Sequence, residues 1–193
     1  MQRRFWLTAA AAGLSLGTAG VWWGLRSRST PSVPAHPSPP VAESASDASA
    51  PVASGVQALW AARLPQSGGG ELVFADLRGQ PLLVNFWATW CAPCVKELPL
   101  LDRFAREQAG RVAVVGIAVD RPEAVQAFLA KTPVAFRVGV AGFAGNSLAR
   151  ELGNVQGGLP FSVALDRQGR LLDHKLGETH AEDLQAWARR LTA

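Results

Sequence analysis

The sequence predicts an α/β sandwich, in which a mixed β-sheet is flanked by helices, and it places this fold in residues 55–193. Strand candidates alternate with helix candidates as far as about residue 152, an order that is typical of sheets covered by helices. Two later strand candidates are joined by the turn sequence DRQG at 166–169, which predicts an antiparallel hairpin. The chain is 48% hydrophobic and 18% charged, so it can bury one core.

The individual elements follow from short apolar runs and the turn residues between them. The runs at 82–87 (LLVNFW) and 112–119 (VAVVGIAV) are typical of buried strands. Proline in its first turn supports the helix at 122–130, and we expect Thr179 to cap the last helix. The predicted strands are 71–75, 82–87, 112–119, 136–140, 160–165 and 170–177, and the predicted helices are 93–108, 122–130, 147–152 and 181–191.

An apolar segment precedes this domain. Residues 5–25 carry no charge, and as a helix rising about 1.5 Å per residue they match the hydrocarbon core of a bilayer. Arg26 and Arg28 follow directly, where a signal peptide would have a small-residue cleavage site. We therefore predict a membrane anchor in residues 1–26, with a cleaved signal segment as the alternative.

Residues 27–54 hold six of the 13 prolines and are otherwise mostly serine and alanine. This composition cannot bury a core, and it predicts a disordered linker before the domain at 55–193. The formal net charge is +4, but four arginines and two acids fall in residues 1–55, so only half of that charge belongs to the domain. The domain shows no basic stripe with interleaved aromatic residues, and we expect no nucleic-acid partner.

The chain contains two cysteines, Cys91 and Cys94, spaced C-x-x-C between a predicted strand and a predicted helix. A structural zinc site needs a further pair of ligands, which the three histidines do not supply at suitable spacing, and attachment of c-type haem needs a histidine where Val95 stands. A purely structural disulfide across so short a loop would stabilise the fold weakly. The pattern therefore predicts a redox-active disulfide, with no metal and no cofactor.

The positions of the two cysteines suggest different roles. Unpaired N–H groups and the dipole at a helix N-terminus stabilise a thiolate, which is the species that attacks disulfides. Cys91 is earlier and more exposed, so it is the predicted nucleophile. Cys94 lies one turn inside the helix, where it can attack a mixed disulfide and release the reduced partner.

The run VNFWATWCAPC at 84–94 resembles the active-site run of the thioredoxin superfamily, specifically of the membrane-anchored thiol:disulfide oxidoreductases of the TlpA and ResA kind. The resemblance covers residues 60–192 and implies a thioredoxin-like sandwich. Pro99 resembles the proline that kinks the active-site helix. Leu159-Pro160 resembles the dipeptide whose proline is cis and lies beside the motif, which implies that the Leu159 backbone pairs with a bound peptide.

Glu97 is the further candidate for chemistry. It has no cation three or four residues away on the predicted helix and lies beside an apolar stripe, so it is expected to be partly desolvated and to shuttle a proton for Cys94. The resemblance agrees, because ResA-like proteins carry a functional glutamate three residues after the second cysteine. A solvated surface glutamate is the alternative. Thioredoxin itself has a buried aspartate where this chain has Asn85, and Trp90 is a candidate for touching a partner.

These features predict an exported, membrane-tethered enzyme that reduces disulfides. A disulfide-forming oxidant would use the same two cysteines, and a copper-binding chaperone on the same fold is a third possibility. The expected partners are disulfide-containing proteins outside the cytoplasm and a membrane thiol electron donor, and apocytochrome c is a substrate that the resemblance alone implies. The expected location is the inner membrane, in a single pass through residues 5–25 with the domain in the periplasm, or the soluble periplasm after cleavage.

Overall fold

The computed structural model describes residues 49–192, which form five α-helices and two β-sheets. The helices are α1 (Ser49–Ala61), α2 (Ala92–Glu107), α3 (Pro122–Lys131), α4 (Gly145–Glu151) and α5 (Ala181–Thr192). The strands are β1 (Arg63–Pro65), β2 (Glu71–Val73), β3 (Leu82–Trp87), β4 (Ala113–Ala118), β5 (Arg137–Val140), β6 (Phe161–Leu165) and β7 (Leu171–Leu176).

The larger sheet has the order β5-β4-β3-β6-β7 and is mixed, as expected. β3 pairs in parallel with β4 and β4 in parallel with β5, whereas β6 is antiparallel to both β3 and β7. Consequently β3, β4, β5 and β7 end at the same edge of the sheet, where β6 begins. We call this the carboxyl edge. β1 and β2 form a separate antiparallel pair, which contacts β5 through a bridge between Gln66 and Gly139.

The central strand β3 is buried along its whole length because both faces of the sheet are covered. Its side chains alternate between two cores. Leu83 and Trp87 pack with residues of α2, α3 and α5 on one face, while Leu82, Val84 and Phe86 pack with residues of α1 and α4 on the other. This arrangement is a thioredoxin-like α/β sandwich.

Two expectations at the start of the domain are corrected. Residues 49–54, which we assigned to the linker, form the first half of α1. The helix continues to Leu59 and Trp60, whose burial holds it on the sheet, and Gly55 lies directly against the backbone of Glu151. The predicted strand 71–75 ends at Val73, and the chain continues as a 3₁₀ helix.

The expected cap of the last helix is also corrected. Thr179 is buried, and its N–H group and hydroxyl bond to side chains of the core, so it does not cap α5. The residue before the helix is His180, whose N–H group donates to Asp183.

The predicted anchor at 5–25 and nearly all of the predicted linker lie outside the residues that the structure describes. Between residues 49 and 192, no helix is long and apolar enough to span a bilayer.

Candidate active site

Both cysteines lie at the carboxyl edge, where the chain passes from β3 into α2. Cys91 is the N-cap residue of α2, and Cys94 lies in its first turn. Pro93 fits there because the first N–H groups of a helix have no helical acceptor. The two Sγ atoms form a disulfide with the Cα atoms 5.3 Å apart. Cys91 is 6% exposed and Cys94 is fully buried, so Cys91 is the cysteine nearer to solvent.

Glu97 lies one helical turn after Cys94 and is only 1% exposed. Its Oε1 atom accepts a hydrogen bond of 2.6 Å from Asn85 Nδ2 in β3, and its Oε2 atom accepts one of 2.5 Å from the Thr179 N–H group. Asn85 Nδ2 also donates to Ser162 Oγ of β6, at 3.0 Å. The carboxyl group from α2 is therefore held by groups from the sheet and from the segment before α5.

The surroundings of Glu97 change its affinity for a proton. Burial raises the pKa of Glu97 above its ordinary value, because the carboxylate loses its hydration. The hydrogen bonds from Thr179 and Asn85 oppose this rise, and the negative charge of Glu178 adds to it. With the pKa raised, the group exchanges its proton at a higher pH than a solvated glutamate does, which suits a general acid–base role.

The dipeptide Leu159-Pro160 contains a cis peptide bond, as the resemblance implied. The next residue, Phe161, pairs with Phe86 of β3, so Pro160 lies at the carboxyl edge beside the start of the cysteine loop. Leu159 is partly buried and packs against the core cluster that contains Cys91 and Cys94.

The loop before Leu159 is organised by one buried amide, Asn154. Its Nδ2 atom donates to the Gly158 carbonyl at 2.8 Å, and its Oδ1 atom accepts from the Gly157 N–H group at 3.0 Å. Gly157 has a φ of +70°, a conformation that glycine adopts without strain. Asn154 therefore fixes the backbone immediately before the cis dipeptide.

Large apolar side chains that are exposed in the described part of the chain gather at the carboxyl edge. Trp90, which is 64% exposed, immediately precedes Cys91. Phe143 follows the end of β5, Val155 lies in the loop before β6, and Leu176 ends β7. Exposed apolar residues concentrated on one side of a domain are typical of a surface that meets other proteins.

A model of the family described as Redoxin matches residues 45–188. The chain belongs to the Redoxin family. Among curated proteins it resembles the thiol-disulfide oxidoreductase ResA of Bacillus cereus, at 28% identity over 127 residues, which are 64% of this chain and 70% of the relative.

Solved structures agree with this assignment for the Redoxin domain. DsbF from MTB, in mixed oxidised and reduced forms, superposes with a TM-score of 0.61 at 27% identity and covers 70% of this chain and 98% of that one. A putative thiol:disulfide interchange protein DsbE from Chlorobium tepidum gives a TM-score of 0.61 at 26% identity, covering 68% and 93%. This Redoxin protein is thus a thiol-disulfide oxidoreductase of the ResA and DsbE type with a thioredoxin-like fold.

The Redoxin domain brings the predicted residues together at one edge. Cys91, Cys94 and Leu159 share a core cluster, and Trp90 and Pro160 lie in the two segments that meet there. Glu97 lies behind Cys94, on the same helix. Within residues 49–192 no group of three or more histidine, cysteine, aspartate or glutamate side chains is placed to hold a metal ion.

Sequence reasoning missed several polar residues around the site. Ser162 and Thr179 hydrogen-bond to each other at 3.2 Å beside Glu97, and Asp120 bonds to the loop before Cys91. The sequence shows Asn85 only as a replacement for the buried aspartate of thioredoxin, not as a donor to Glu97. Asn85 and Ser162 could have been found from the sequence, because each is the single polar residue of an apolar strand, in LLVNFW and in FSVAL. A polar side chain in a buried strand needs a buried hydrogen-bond partner.

Proposed function

We propose that this protein is an exported, membrane-tethered reductase that transfers electrons from the Cys91 and Cys94 thiols to disulfides of partner proteins. The observation that carries the proposal is the buried Glu97 carboxyl group, one turn from Cys94. A carboxylate beside Cys94 disfavours the thiolate form of the reduced pair. Strong oxidants depend on a stabilised reduced form, so this arrangement favours giving electrons.

The reaction begins when the Cys91 thiolate attacks one sulfur of the partner disulfide. A bond forms between Cys91 Sγ and that sulfur, and the other partner sulfur leaves as a thiolate. Glu97 then accepts the proton of Cys94, and the Cys94 thiolate attacks Cys91 Sγ. The Cys91–Cys94 disulfide forms, and the second partner sulfur leaves.

This sequence of steps balances. The partner disulfide gains two electrons, and the dithiol of this protein loses two. The two partner thiolates take up two protons, one released when the Cys91 thiol ionises and one that Glu97 returns. Asn85 and Thr179 hold the Glu97 carboxyl group in place throughout, because each donates to one of its oxygens.

Protein disulfides are the proposed substrate class. Trp90 and the other exposed apolar side chains at the carboxyl edge provide a contact surface around Cys91. The cis Leu159-Pro160 segment, adjacent in the sheet, offers backbone groups to an extended peptide. Both features suit a polypeptide that presents a disulfide in an exposed strand or loop.

The location and the electron supply complete the proposal. The apolar run at 5–25 would hold the protein in the inner membrane, with the domain in the periplasm. An oxidising compartment would leave the pair as a disulfide, so a membrane protein with its own thiols has to reduce it. Apocytochrome c, whose haem-binding cysteines have to be reduced, is the substrate that we propose on the basis of the resemblance.

Substitution of single cysteines tests the proposed order of attack. With insulin as the disulfide substrate, the reduced Cys94→Ser variant should accumulate a mixed disulfide with an insulin chain, since nothing resolves it. The Cys91→Ser variant is the matched control and should accumulate none. Adducts of similar yield in both variants, on non-reducing gels and by mass, would refute the assignment of Cys91 as the attacking thiol.

A further inference from the structure

A second carboxyl group, Asp120, lies at the carboxyl edge in the first residues after β4. The backbone of Val119 still bonds to the Trp87 carbonyl, so the chain reaches Asp120 alongside the end of β3. Asp120 is 3% exposed. Its side chain therefore lies within the fold, beside the loop that leads from Trp87 to Cys91.

Two of the three hydrogen bonds to Asp120 tie this loop to the segment after β4. Its Oδ2 atom accepts hydrogen bonds from the Thr89 hydroxyl at 2.6 Å and from the Thr89 N–H group at 3.0 Å. Its Oδ1 atom accepts from the Arg121 N–H group at 2.7 Å. Thr89 is two residues before Cys91, and Trp90 lies between them. Asp120 thus fixes the position from which the exposed Trp90 and the nearby Cys91 project.

The donors to Asp120 are neutral groups. The adjacent Arg121 is exposed, and within residues 49–192 its guanidinium forms no ion pair with Asp120. Burial would raise the pKa of Asp120, but the hydrogen bonds from Thr89 and Arg121, together with the positive charge of Arg121, outweigh it and hold the pKa below its ordinary value. Asp120 is consequently an anion at neutral pH.

We propose that Asp120 is a positioning residue that fixes the Thr89–Cys91 loop and, through its negative charge, makes the Cys91–Cys94 dithiol more strongly reducing. The charge disfavours a thiolate at Cys91 but has no comparable effect on the neutral disulfide. The reduced form is therefore destabilised relative to the oxidised form. This inference rests on the proposed dithiol chemistry of Cys91 and Cys94, and it assigns to the segment after β4 a role that the cysteine motif alone does not show.

Asp120→Asn in the full chain tests the electrostatic part, because asparagine keeps the size of the side chain and removes its charge. The matched control is Asp166→Asn. Asp166 is also buried and also accepts a backbone N–H group, from Arg170 at 2.9 Å, but it lies at the opposite edge of the sheet. Both variants and the wild type are equilibrated with glutathione buffers, and the alkylation rate of Cys91 is followed against pH.

We expect Asp120→Asn to shift the equilibrium with glutathione toward the dithiol by about threefold or more, with the apparent pKa of Cys91 lowered. Asp166→Asn should leave the equilibrium with glutathione and the apparent pKa of Cys91 unchanged, even if it lowers the stability of the fold. An unchanged equilibrium in a folded Asp120→Asn protein would overturn the electrostatic role. A wild type that shows no dithiol–disulfide equilibrium with glutathione would instead refute the proposed function, independently of the variants.

Thr89→Val tests positioning and keeps the carboxylate, so it remains informative if Asp120→Asn fails to fold. It removes the 2.6 Å hydrogen bond. We expect kcat/KM with insulin to fall severalfold, while the equilibrium with glutathione moves less than in Asp120→Asn, and Thr89→Ser should restore the rate. A wild-type kcat/KM in Thr89→Val would overturn the positioning role.

Discussion

The two cysteines occupy neighbouring positions on one helix but have different access to solvent. Cys91 is partly accessible at the N-cap of α2, whereas Cys94 is fully buried and one turn inside. Helix-end electrostatics and access both favour reaction at Cys91. In reduced protein at neutral pH we expect iodoacetamide to label Cys91 at least about tenfold faster than Cys94. Mass mapping of partly labelled protein measures this, and equal labelling or a preference for Cys94 would contradict it.

Glu97 should make stability depend on pH in a defined direction. Since folding raises the pKa of Glu97 above 4.5, the native state favours its protonated form. The stability linked to this group is fully present below about pH 4.5 and is lost as the pH rises through the raised pKa. The Glu97→Gln variant has no carboxyl group to titrate at this position. As the pH rises from about 4.5 through the raised pKa of Glu97, its free energy of unfolding should therefore increase relative to that of the wild type.

Urea unfolding of both proteins at several pH values measures this difference. Glu107→Gln is the matched control, because it is the same substitution on the same helix at an exposed position. We also expect Glu97→Gln to reduce insulin at least about a hundredfold more slowly, the lower end of what a proton-transfer group contributes. If the pH dependence of unfolding and the rate of insulin reduction in Glu97→Gln both equal those of the wild type, Glu97 has only a structural role.

The sequence could indicate Glu97 but not its partners. Helical spacing alone places Glu97 beside Cys94 and without a nearby cation. The groups that hold it come from far along the chain, since Thr179 is 82 residues away and Ser162 lies 77 residues from Asn85. Such contacts depend on the register of β3 with β6, which local patterns do not determine.

At the scale of elements, α1 depends on a close approach that only glycine allows. A Cβ atom added at Gly55 would lie 2.3 Å from the Glu151 carbonyl oxygen of α4. Gly55→Ala should therefore destabilise the fold by about 1–3 kcal/mol, although alanine is the better helix former. The control is Gly68→Ala, where an added Cβ atom meets nothing within 4 Å. Urea unfolding that shows Gly55→Ala as stable as wild type would contradict the packing of α1 on α4.

The loop before β6 should affect protein substrates selectively. Without the Asn154 side chain, the Gly157 and Gly158 backbone loses two hydrogen bonds and no longer holds Leu159 in place. Asn154→Ala should raise KM for insulin severalfold and leave the rate with a small disulfide such as oxidised glutathione nearly unchanged. Asn146→Ala, on α4, is the control. Equal losses with both substrates would show that the loop supports the whole fold instead.

The elements that the sequence predicted best are those with a simple apolar pattern. β3 coincides with the predicted strand 82–87, because a central strand covered on both faces is apolar along its length. α1 was missed because SAPVASGVQALWA is rich in small residues and follows a proline-rich stretch, so its first half resembles a linker. Burial of Leu59 and Trp60 against the sheet stabilises this helix, and that contact is tertiary.

For the whole molecule, the apolar run at 5–25 predicts membrane attachment. The full chain should stay in the membrane fraction after a carbonate wash. A chain that begins at Ser49, the start of α1, should be recovered in solution and should reduce insulin at the same rate, because the described site lies entirely in residues 85–179. If expression of the full sequence instead yields a soluble protein that lacks its first few dozen residues, the segment is cleaved.

The reduction potential of the Cys91–Cys94 pair tests the central claim most directly. The full chain in detergent is equilibrated with glutathione buffers at pH 7, and the dithiol fraction is read by mass after alkylation. A reductase with an acid beside its resolving thiol should have a potential more negative than about −200 mV, on the side of thioredoxin. A potential near about −120 mV, like that of a strong disulfide-forming oxidant, would contradict the proposed direction of electron flow.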